Sequence, residues 1–184
     1  MNDKKIIFLD IDGVIQHPYA TKRFTVNRKS LVNQLSKEYQ VDYHQYNEFD
    51  VASVCYDWNQ EAISVINNII AKTNAYIVIS SNWRNPLLPN KMKDLLKIHS
   101  LDKYYLGDTP QITNILNYQD KLTLYPSRVI EILTYLEEHP DITNYVVIDD
   151  LDLSQGLENH FVKTNNLITQ EDANTCIKIL KRKL

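Results

Sequence analysis

The chain has 184 residues, of which 43% are hydrophobic and 23% charged, and its formal net charge is −3. This length and composition are typical of one folded domain and exclude a disordered polymer. The weakly acidic balance also excludes a general electrostatic attraction to nucleic acid or to an anionic membrane, although it leaves room for a local basic patch.

Predicted strands and helices alternate along the chain. In order they are a strand over 5–9, a helix over 28–37, a helix over 59–72, a strand over 75–79, a helix near 91–99, a helix over 127–138, a strand over 145–148, a strand over 160–164 and a helix over 170–182. The strands are short apolar runs, and the helices carry apolar residues at spacings of three and four. This order predicts a three-layer, Rossmann-like α/β fold, in which helices cover both faces of a parallel sheet.

Two of the predicted helices have a distinct apolar face. In helix 59–72 this face consists of Ala62, Ile63, Ile66, Ile69 and Ile70. In helix 127–138, for which Ser127 is a candidate N-cap, the residues predicted to point inward are Val129, Ile130, Leu133 and Leu136.

The segment 14–57 interrupts this alternation with one helix and an aromatic-rich stretch. Because it follows directly after the first strand, we expect a small lid, or cap insertion, in a single domain that spans 1–184. Its aromatic residues are expected to pack the lid rather than to form a substrate platform, although aromatic walls would suit an aromatic phosphoester.

The small numbers of cysteine and glycine residues exclude several kinds of functional site. Two scattered cysteines, Cys55 and Cys176, are too few for a disulfide framework or a zinc site and favour a reducing, cytoplasmic location, with delivery into another cell as an open alternative. Three isolated glycines exclude a Walker loop and a dinucleotide fingerprint, which need clustered glycines. The apolar segments are too short to span a membrane, so we expect no membrane partner.

Polar side chains follow three of the buried strands. The first strand leads into Asp10 and Asp12, the second into Ser80, and the third into Asp149 and Asp150. Because the carboxyl ends of parallel strands lie at one edge of a sheet, we expect these groups to converge. Carboxylates so placed would repel one another unless a cation lies between them, and oxygen ligands of this kind suit Mg²⁺. One aspartate could then attack a phosphoryl group while another transfers protons.

The motifs resemble those of the haloacid dehalogenase (HAD) superfamily of phosphatases. The stretch 8–14 (FLDIDGV) is similar to its first motif, 77–80 (IVIS) to its second, and 146–150 (VVIDD) to its last. The stretch 80–84 (SSNWR) is closest to a small HAD group found alone or fused to bacterial RNA-repair enzymes.

The resemblance implies a role for each matching residue. Asp10 would be the nucleophile, Asp12 the general acid and then base, and Ser80 a ligand of the transferring phosphoryl group. Mg²⁺ would be held by Asp10, the backbone carbonyl of Asp12 and the final acidic pair, in which Asp150 is favoured over Asp149. Arg128 fits the cation of the third motif, with Lys121 as its rival. We also expect Ser81, Asn82 and Arg84 to contact the substrate.

These observations predict a Mg²⁺-dependent phosphomonoester hydrolase that forms an aspartyl-phosphate. Its expected partner is a phosphorylated protein, including a phosphotyrosine protein, or an aryl phosphate. A nucleotide or nucleic-acid end is a second substrate class, which the lack of an evident basic track makes less favoured. A catalytically silent HAD fold that serves as a binding module is the alternative from another class.

Overall fold

The computed structural model describes residues 4–112 and 127–182. Its strands are β1 (Lys4–Leu9), β2 (Tyr76–Ile79), β3 (Tyr105–Asp108), β4 (Ile142–Asp149) and β5 (Phe161–Lys163). Its longer helices are α1 (Arg28–Tyr39), α2 (Glu48–Tyr56), α3 (Gln60–Thr73), α4 (Lys91–Lys97), α5 (Ser127–Glu138) and α6 (Gln170–Leu180).

The five strands form one parallel sheet in the order β3-β2-β1-β4-β5. Strand β1 is central, and its Ile7 lies opposite Ile77 on one neighbour and Val146 on the other. The chain order and sheet order together confirm the predicted Rossmann-like α/β fold. The central position of β1 places the residues that follow it between the ends of β2 and β4.

Successive residues of the central strands point to opposite faces of the sheet and enter two separate cores. On β1, Ile7 and Leu9 join the larger core, which includes α3 and α6, whereas Ile6 and Phe8 join the smaller core against α5. All four side chains are fully buried. Helices therefore cover both faces, as expected for strands that are apolar along their whole length.

Local capping explains where several helices begin. Asn59 accepts a hydrogen bond from the backbone N–H of Ala62 at 2.9 Å and caps α3. Thr169 and Asp172 form a reciprocal capping box at the start of α6: the Thr169 hydroxyl accepts from the N–H of Asp172, and the Asp172 carboxylate accepts from the N–H of Thr169. These side chains satisfy backbone donors that a helix leaves unpaired at its N-terminus.

The structure adds to the predicted elements in two places. Strand β3, with the sequence YLGD, was not expected because it is short and has little apolar character. In α5, Val129 is buried as predicted, and Leu133 and Leu136 are half-buried against the smaller core. Ile130 is only half-buried, and the buried face also includes Arg128, Glu131, Ile132 and Tyr135. The polar residues Arg128 and Glu131 occupy this face because each has an ionic partner inside the fold, which hydrophobic periodicity cannot reveal. Helix α5 begins at Ser127, the residue predicted to cap it.

The segment 14–57 packs as part of the larger core. Its Leu31, Val32, Tyr43 and Val51 belong to the same apolar cluster as the sheet residues. The Tyr43 hydroxyl donates to the backbone carbonyl of Asp94 at 2.7 Å, which ties the segment to α4. Its buried aromatic residues therefore support the fold, as the packing interpretation expected.

Candidate active site

Three strand ends bring the predicted polar groups to one edge of the sheet. Asp10 follows β1, Ser80 follows β2, and Asp149 is the last residue of β4. The N–H of Asp10 donates to the carbonyl of Ile148 at 3.1 Å, and the N–H of Ser80 donates to that of Leu9 at 3.0 Å. The sheet hydrogen bonding thus continues into the site and holds its backbone in place.

Three carboxylates form the centre of the site. One oxygen from each of Asp10, Asp149 and Asp150 lies within 4.8 Å of the others. Asp10 is 4% exposed and Asp149 is fully buried. Such a cluster is costly without positive charge, since each carboxylate has lost water and faces like charges.

Arg128 supplies part of that positive charge. Its Nη1 lies 3.0 Å from Asp10 Oδ2 and 2.8 Å from Asp149 Oδ2. Although burial acts to lower the pKa of the Arg128 guanidinium, the two carboxylates raise that pKa above its usual value. Nη2 donates to Asn82 Oδ1 at 3.2 Å, so Asn82 helps to orient the guanidinium.

The buried carboxylates are nevertheless hard to ionise. Burial raises the pKa of Asp10, although Arg128 and a hydrogen bond from Ser81 act in the opposite direction. Burial also raises the pKa of Asp149 to about 6, with a further contribution from the charge of Asp10. The compensation by Arg128 is therefore incomplete, and the site would gain from a second positive charge.

Gly13 permits the close approach of Asp150. Its φ is +74°, a left-handed conformation that a side chain disfavours. A Cβ atom at this position would lie 2.5 Å from Asp150 Oδ2 and 2.6 Å from its Cβ, closer than atoms can pack. Any other residue at Gly13 would therefore push Asp150 away from the cluster.

The two acids of the last motif differ in their contacts. Asp149 uses Oδ2 to accept from Arg128 and Oδ1 to accept from the N–H of Leu151 at 2.9 Å. Asp150 is half-buried and lies against Gly13. Because both oxygens of Asp149 already accept hydrogen bonds, the contacts favour Asp150 as the ligand with more freedom to bind a cation.

Ser80 and Ser81 lie beside Asp10. Ser80 is fully buried, and its Oγ has no hydrogen-bond partner among the described residues. A buried hydroxyl without a partner loses free energy, so this atom would gain from a bound polar group. Ser81 is also buried and bonds to the Asp10 carboxylate.

Asp12 lies in a different environment from Asp10. Its side chain is exposed, and both of its oxygens accept hydrogen bonds from uncharged groups. Gln16 Nε2 donates to Oδ1 at 2.6 Å, and the indole N–H of Trp83 donates to Oδ2 at 2.9 Å. The carboxylate is therefore held in one orientation at the open side of the site.

The comparisons with known proteins agree with this geometry. The family model described as the HAD domain in Swiss Army Knife RNA repair proteins matches residues 6–173. The chain belongs to this HAD family. Searches among curated proteins and among solved structures returned no significant match.

Membership of the HAD family agrees with the resemblance found in the sequence and with the fold. The structure brings together Asp10, Ser80, Ser81, Asp149, Asp150 and Arg128, while Asp12 and Asn82 border them. The carboxylate of Asp12 is outside the three-acid cluster, which is compatible with the prediction that only its backbone carbonyl binds metal. Lys121, the rival of Arg128, lies outside the described residues. The individual roles stay predictions.

Arg84 has the contacts of a structural clamp in this HAD domain. Its Nε donates to the carbonyl of Ser81 at 2.6 Å, and its Nη2 donates to Glu131 Oε2 at 2.8 Å. Its Nη1 donates to the carbonyl of Thr109 at 2.8 Å and to the hydroxyl of the same residue. With its donors directed into the protein, Arg84 links β2, β3 and α5 and is poorly placed for the substrate contact that we predicted.

Sequence reasoning missed three residues around this HAD site. Trp83 and Gln16 bind Asp12, and Glu131 binds Arg84. Trp83 is part of the SSNWR stretch, so its motif was a usable signal. Gln16 and Glu131 carried no local signal because their partners lie on other segments of the folded chain.

The acidic cluster fits a divalent cation. Among the residues that the structure describes, Arg128 is the only cation in salt-bridge contact with Asp10 or Asp149. Three carboxylates and one guanidinium leave two negative charges uncompensated, and oxygen donors suit Mg²⁺. The candidate ligands are Asp10, Asp150 and Asp149, together with the backbone carbonyl of Asp12.

No helix within 4–112 or 127–182 has both the length and the hydropathy needed to cross a membrane. A cytoplasmic location stays a prediction based on the cysteine content.

Proposed function

We propose that this HAD domain is a Mg²⁺-dependent phosphomonoester hydrolase that acts through an aspartyl-phosphate on Asp10. The observation that carries the proposal is the meeting of Asp10, the Asp149–Asp150 pair and the Ser80 hydroxyl at the edge of the sheet; within 4–112 and 127–182 this hydroxyl has no hydrogen-bond partner. The proposal takes the described residues as one HAD domain, with 14–57 as its insertion.

Asp10 is placed to act as the nucleophile. One of its carboxylate oxygens would attack phosphorus, and the bond from phosphorus to the ester oxygen would break. Arg128 and the Ser81 hydroxyl favour the ionised, attacking form of Asp10. The bound cation would supply positive charge that favours ionised carboxylates and offsets the charge of the phosphoryl oxygens. Ser80 would donate its free hydroxyl hydrogen to one of those oxygens.

Asp12 would carry the protons. In the first step it would donate a proton to the leaving ester oxygen. In the second it would accept a proton from water, whose oxygen attacks phosphorus and releases Asp10 and inorganic phosphate. Its exposed position beside the buried cluster suits a group that exchanges protons with substrate and water.

Exposed apolar side chains on loops after three of the strands support an aryl phosphate or a phosphoprotein as substrate. Large apolar side chains on loops that follow β1, β2 and β4 are exposed: Tyr19 is 82% exposed, Leu87 is 87% exposed and Leu151 is 50% exposed. Apolar and aromatic groups on these loops would suit the ring of a phosphotyrosine or another aryl ester.

The description of the family supports a second candidate. HAD domains of this family are described as parts of RNA repair proteins. A phosphorylated nucleic-acid end is therefore a substrate class to test beside the aryl phosphates.

The proposal is tested by phosphate release from an aryl phosphate, a phosphotyrosine peptide and an end-phosphorylated RNA oligonucleotide. The purified chain should hydrolyse at least one of them with Mg²⁺, and Asp10→Asn should release none. If the wild-type chain is folded yet hydrolyses no phosphomonoester with Mg²⁺, the binding-module alternative replaces the proposal. The relative rates on the three substrates decide between the two substrate classes.

A further inference from the structure

We propose that Trp83 and Gln16 are positioning residues that hold the Asp12 carboxylate in the orientation needed for proton transfer. The inference rests on the proposed function, since that function gives Asp12 its role. The inference goes beyond the proposed function because it states that two uncharged donors, one of them in the inserted segment 14–57, set the orientation of Asp12.

The first donor is held by the packing of its ring. The Trp83 indole N–H donates to Asp12 Oδ2 at 2.9 Å. The Trp83 ring meets the ring of buried Trp58 edge to face, with centroids 5.9 Å apart, and Lys91 Nζ lies 5.8 Å from its centroid. Because these contacts restrict the indole, its N–H keeps a constant direction toward Asp12.

The second donor is held by a hydrogen bond at its other end. Gln16 is 2% exposed, and its Nε2 donates to Asp12 Oδ1 at 2.6 Å. Its Oε1 accepts from the hydroxyl of Ser53. A flipped amide would place an oxygen against the Asp12 carboxylate and leave Ser53 without an acceptor in Gln16. The amide therefore has one favoured orientation.

The direction of the Ser53 hydroxyl is in turn set by a cation. Arg23 Nη1 donates to Ser53 Oγ at 2.8 Å, so the hydroxyl hydrogen points to an acceptor instead. Of the two acceptors within reach, Gln16 Oε1 is much closer than Asp57 Oδ2, which lies 3.5 Å from Ser53 Oγ. Arg23 Nε pairs with Asp57 Oδ2 at 3.0 Å, and Asp57 Oδ1 accepts from the N–H of Lys22 at 2.9 Å. A chain of donors thus runs from Arg23 through Ser53 and Gln16 to Asp12, and each bond polarises the next.

This arrangement gives the inserted segment a part in the reaction. Gln16, Arg23 and Ser53 all belong to 14–57, whereas Trp83 follows β2. Asp12 is exposed and would otherwise sample several rotamers, which lowers the fraction of time in which it faces the ester oxygen. Removing either donor should therefore reduce proton transfer without affecting the attack by Asp10.

The kinetic test compares substrates with good and poor leaving groups. Trp83→Phe and Gln16→Met keep the bulk of each side chain but remove the donor. Each substitution should slow hydrolysis of an alkyl phosphate about 10-fold, which is part of the roughly 10²–10⁴-fold acceleration that acid–base catalysis supplies. The rate of hydrolysis of an aryl phosphate should fall much less. Tyr46→Phe is the matched control, because it removes a buried hydroxyl of the same segment, one that donates to Asp94 of α4, and should leave the alkyl-to-aryl ratio unchanged.

A double-mutant cycle separates positioning from general damage. In an Asp12→Asn background the group to be positioned is absent, so adding Trp83→Phe should cause no further loss. The inference is wrong, while the proposed function stands, if Trp83→Phe lowers the hydrolysis rates of the two substrates by the same factor. The same conclusion follows if Trp83→Phe lowers the rate equally in the wild-type and the Asp12→Asn backgrounds.

A second measurement does not depend on activity. The chain has two tryptophans, and the indole N–H of Trp58 has no partner among the described residues. In an ¹H–¹⁵N spectrum, the indole signal that Trp83→Phe removes should lie downfield of the other, because a hydrogen bond to a carboxylate deshields the proton. Asp12→Asn should move this signal upfield and leave that of Trp58 in place.

The spectrum also separates the two possible failures. The inference would be overturned, whatever the activity, if the two indole N–H signals had the same proton chemical shift and neither moved in Asp12→Asn. A folded chain that hydrolyses no phosphomonoester, yet shows the expected shift, would overturn the proposed function and leave the Trp83–Asp12 contact established.

Discussion

Asp10 and Asp12 are separated by one residue, but they lie in opposite environments. Asp10 is 4% exposed, and an ion pair with Arg128, which Asp149 shares, compensates part of its charge. Asp12 is exposed, and two uncharged donors hold it. A buried carboxylate needs nearby positive charge, whereas an exposed one is solvated and needs only to be oriented.

The difference suits the two roles that we propose. The Asp10 region is buried and charged, as expected for a nucleophile and metal-binding centre. The Asp12 region is open and polar, as expected for a group that exchanges protons with water. The two regions should therefore respond differently to substitution, to metal and to pH.

The largest effect is expected for Asp10→Asn. This change removes the attacking oxygen and one metal ligand together, so turnover should fall to background on every substrate. The rate of phosphate release, with melting temperature as a test of folding, measures it. Asp152→Asn is a matched control, because Asp152 is exposed on the loop after β4 and should be dispensable. A folded Asp10→Asn variant with substantial activity would show that another group is the nucleophile.

Removal of metal should cause a comparable loss. An excess of chelator should abolish hydrolysis and added Mg²⁺ should restore it, because the acidic cluster is undercompensated without a cation. Ca²⁺ should not restore it, since its looser coordination misplaces nucleophile and phosphate. Full activity in excess chelator would contradict the assignment of a metal to this cluster.

A smaller and substrate-dependent loss is expected for Asp12→Asn. It removes proton transfer but leaves Asp10 able to attack, so the rate should fall by about 10²–10⁴ on an alkyl phosphate. The loss should be smaller on an aryl phosphate, whose leaving group needs little protonation. Equal losses on the two substrates would mean that Asp12 has another role.

The Arg84–Glu131 clamp should affect stability rather than substrate binding. Glu131→Gln leaves the buried guanidinium without its charge partner, which should lower the free energy of unfolding by about 3 kcal/mol. Lys4→Met, which breaks an exposed ion pair with Asp141, should have a much smaller effect, because solvent screens that pair. Denaturant unfolding measures both, and a raised KM in the folded Glu131→Gln protein would restore Arg84 as a substrate ligand.

The smallest effect is the pH dependence of the metal-free protein. Burial raises the pKa of Asp149 and that of Asp108 to about 6, so the folded state binds protons that the unfolded state releases between about pH 4 and 6. Stability contributed by these groups is present below pH 4 and is lost as the pH rises through 6.

Removing either group should flatten this dependence. Asp149→Asn or Asp108→Asn should each reduce the change in unfolding free energy across this window by about 1–2 kcal/mol, after allowance for local relaxation. Thermal melts from pH 4 to 7 in chelator measure it. Mg²⁺ should diminish the contribution of Asp149 but not that of Asp108, which lies outside the acidic cluster. An unchanged slope in Asp149→Asn would contradict its raised pKa.

The sequence by itself determined the fold class and the place of the site. The apolar runs of β1, β2 and β4 have to be buried on both faces, and a parallel sheet is the arrangement that does so between helices. The acids and Ser80 follow those runs directly, so the edge at which they meet was predictable from the alternation of strands and helices.

Only the tertiary structure decided which polar groups are paired. Arg84 and Glu131 bind each other from segments 47 residues apart, and the closeness of Gly13 to Asp150 depends on how β1 and β4 end side by side. Local sequence patterns do not identify such partners, because a charged residue is predicted to be exposed unless its counter-ion is known. For the same reason the inward face of α5 was predicted only in part, without Arg128 and Glu131, and the donors that hold Asp12 were identified only in the folded chain.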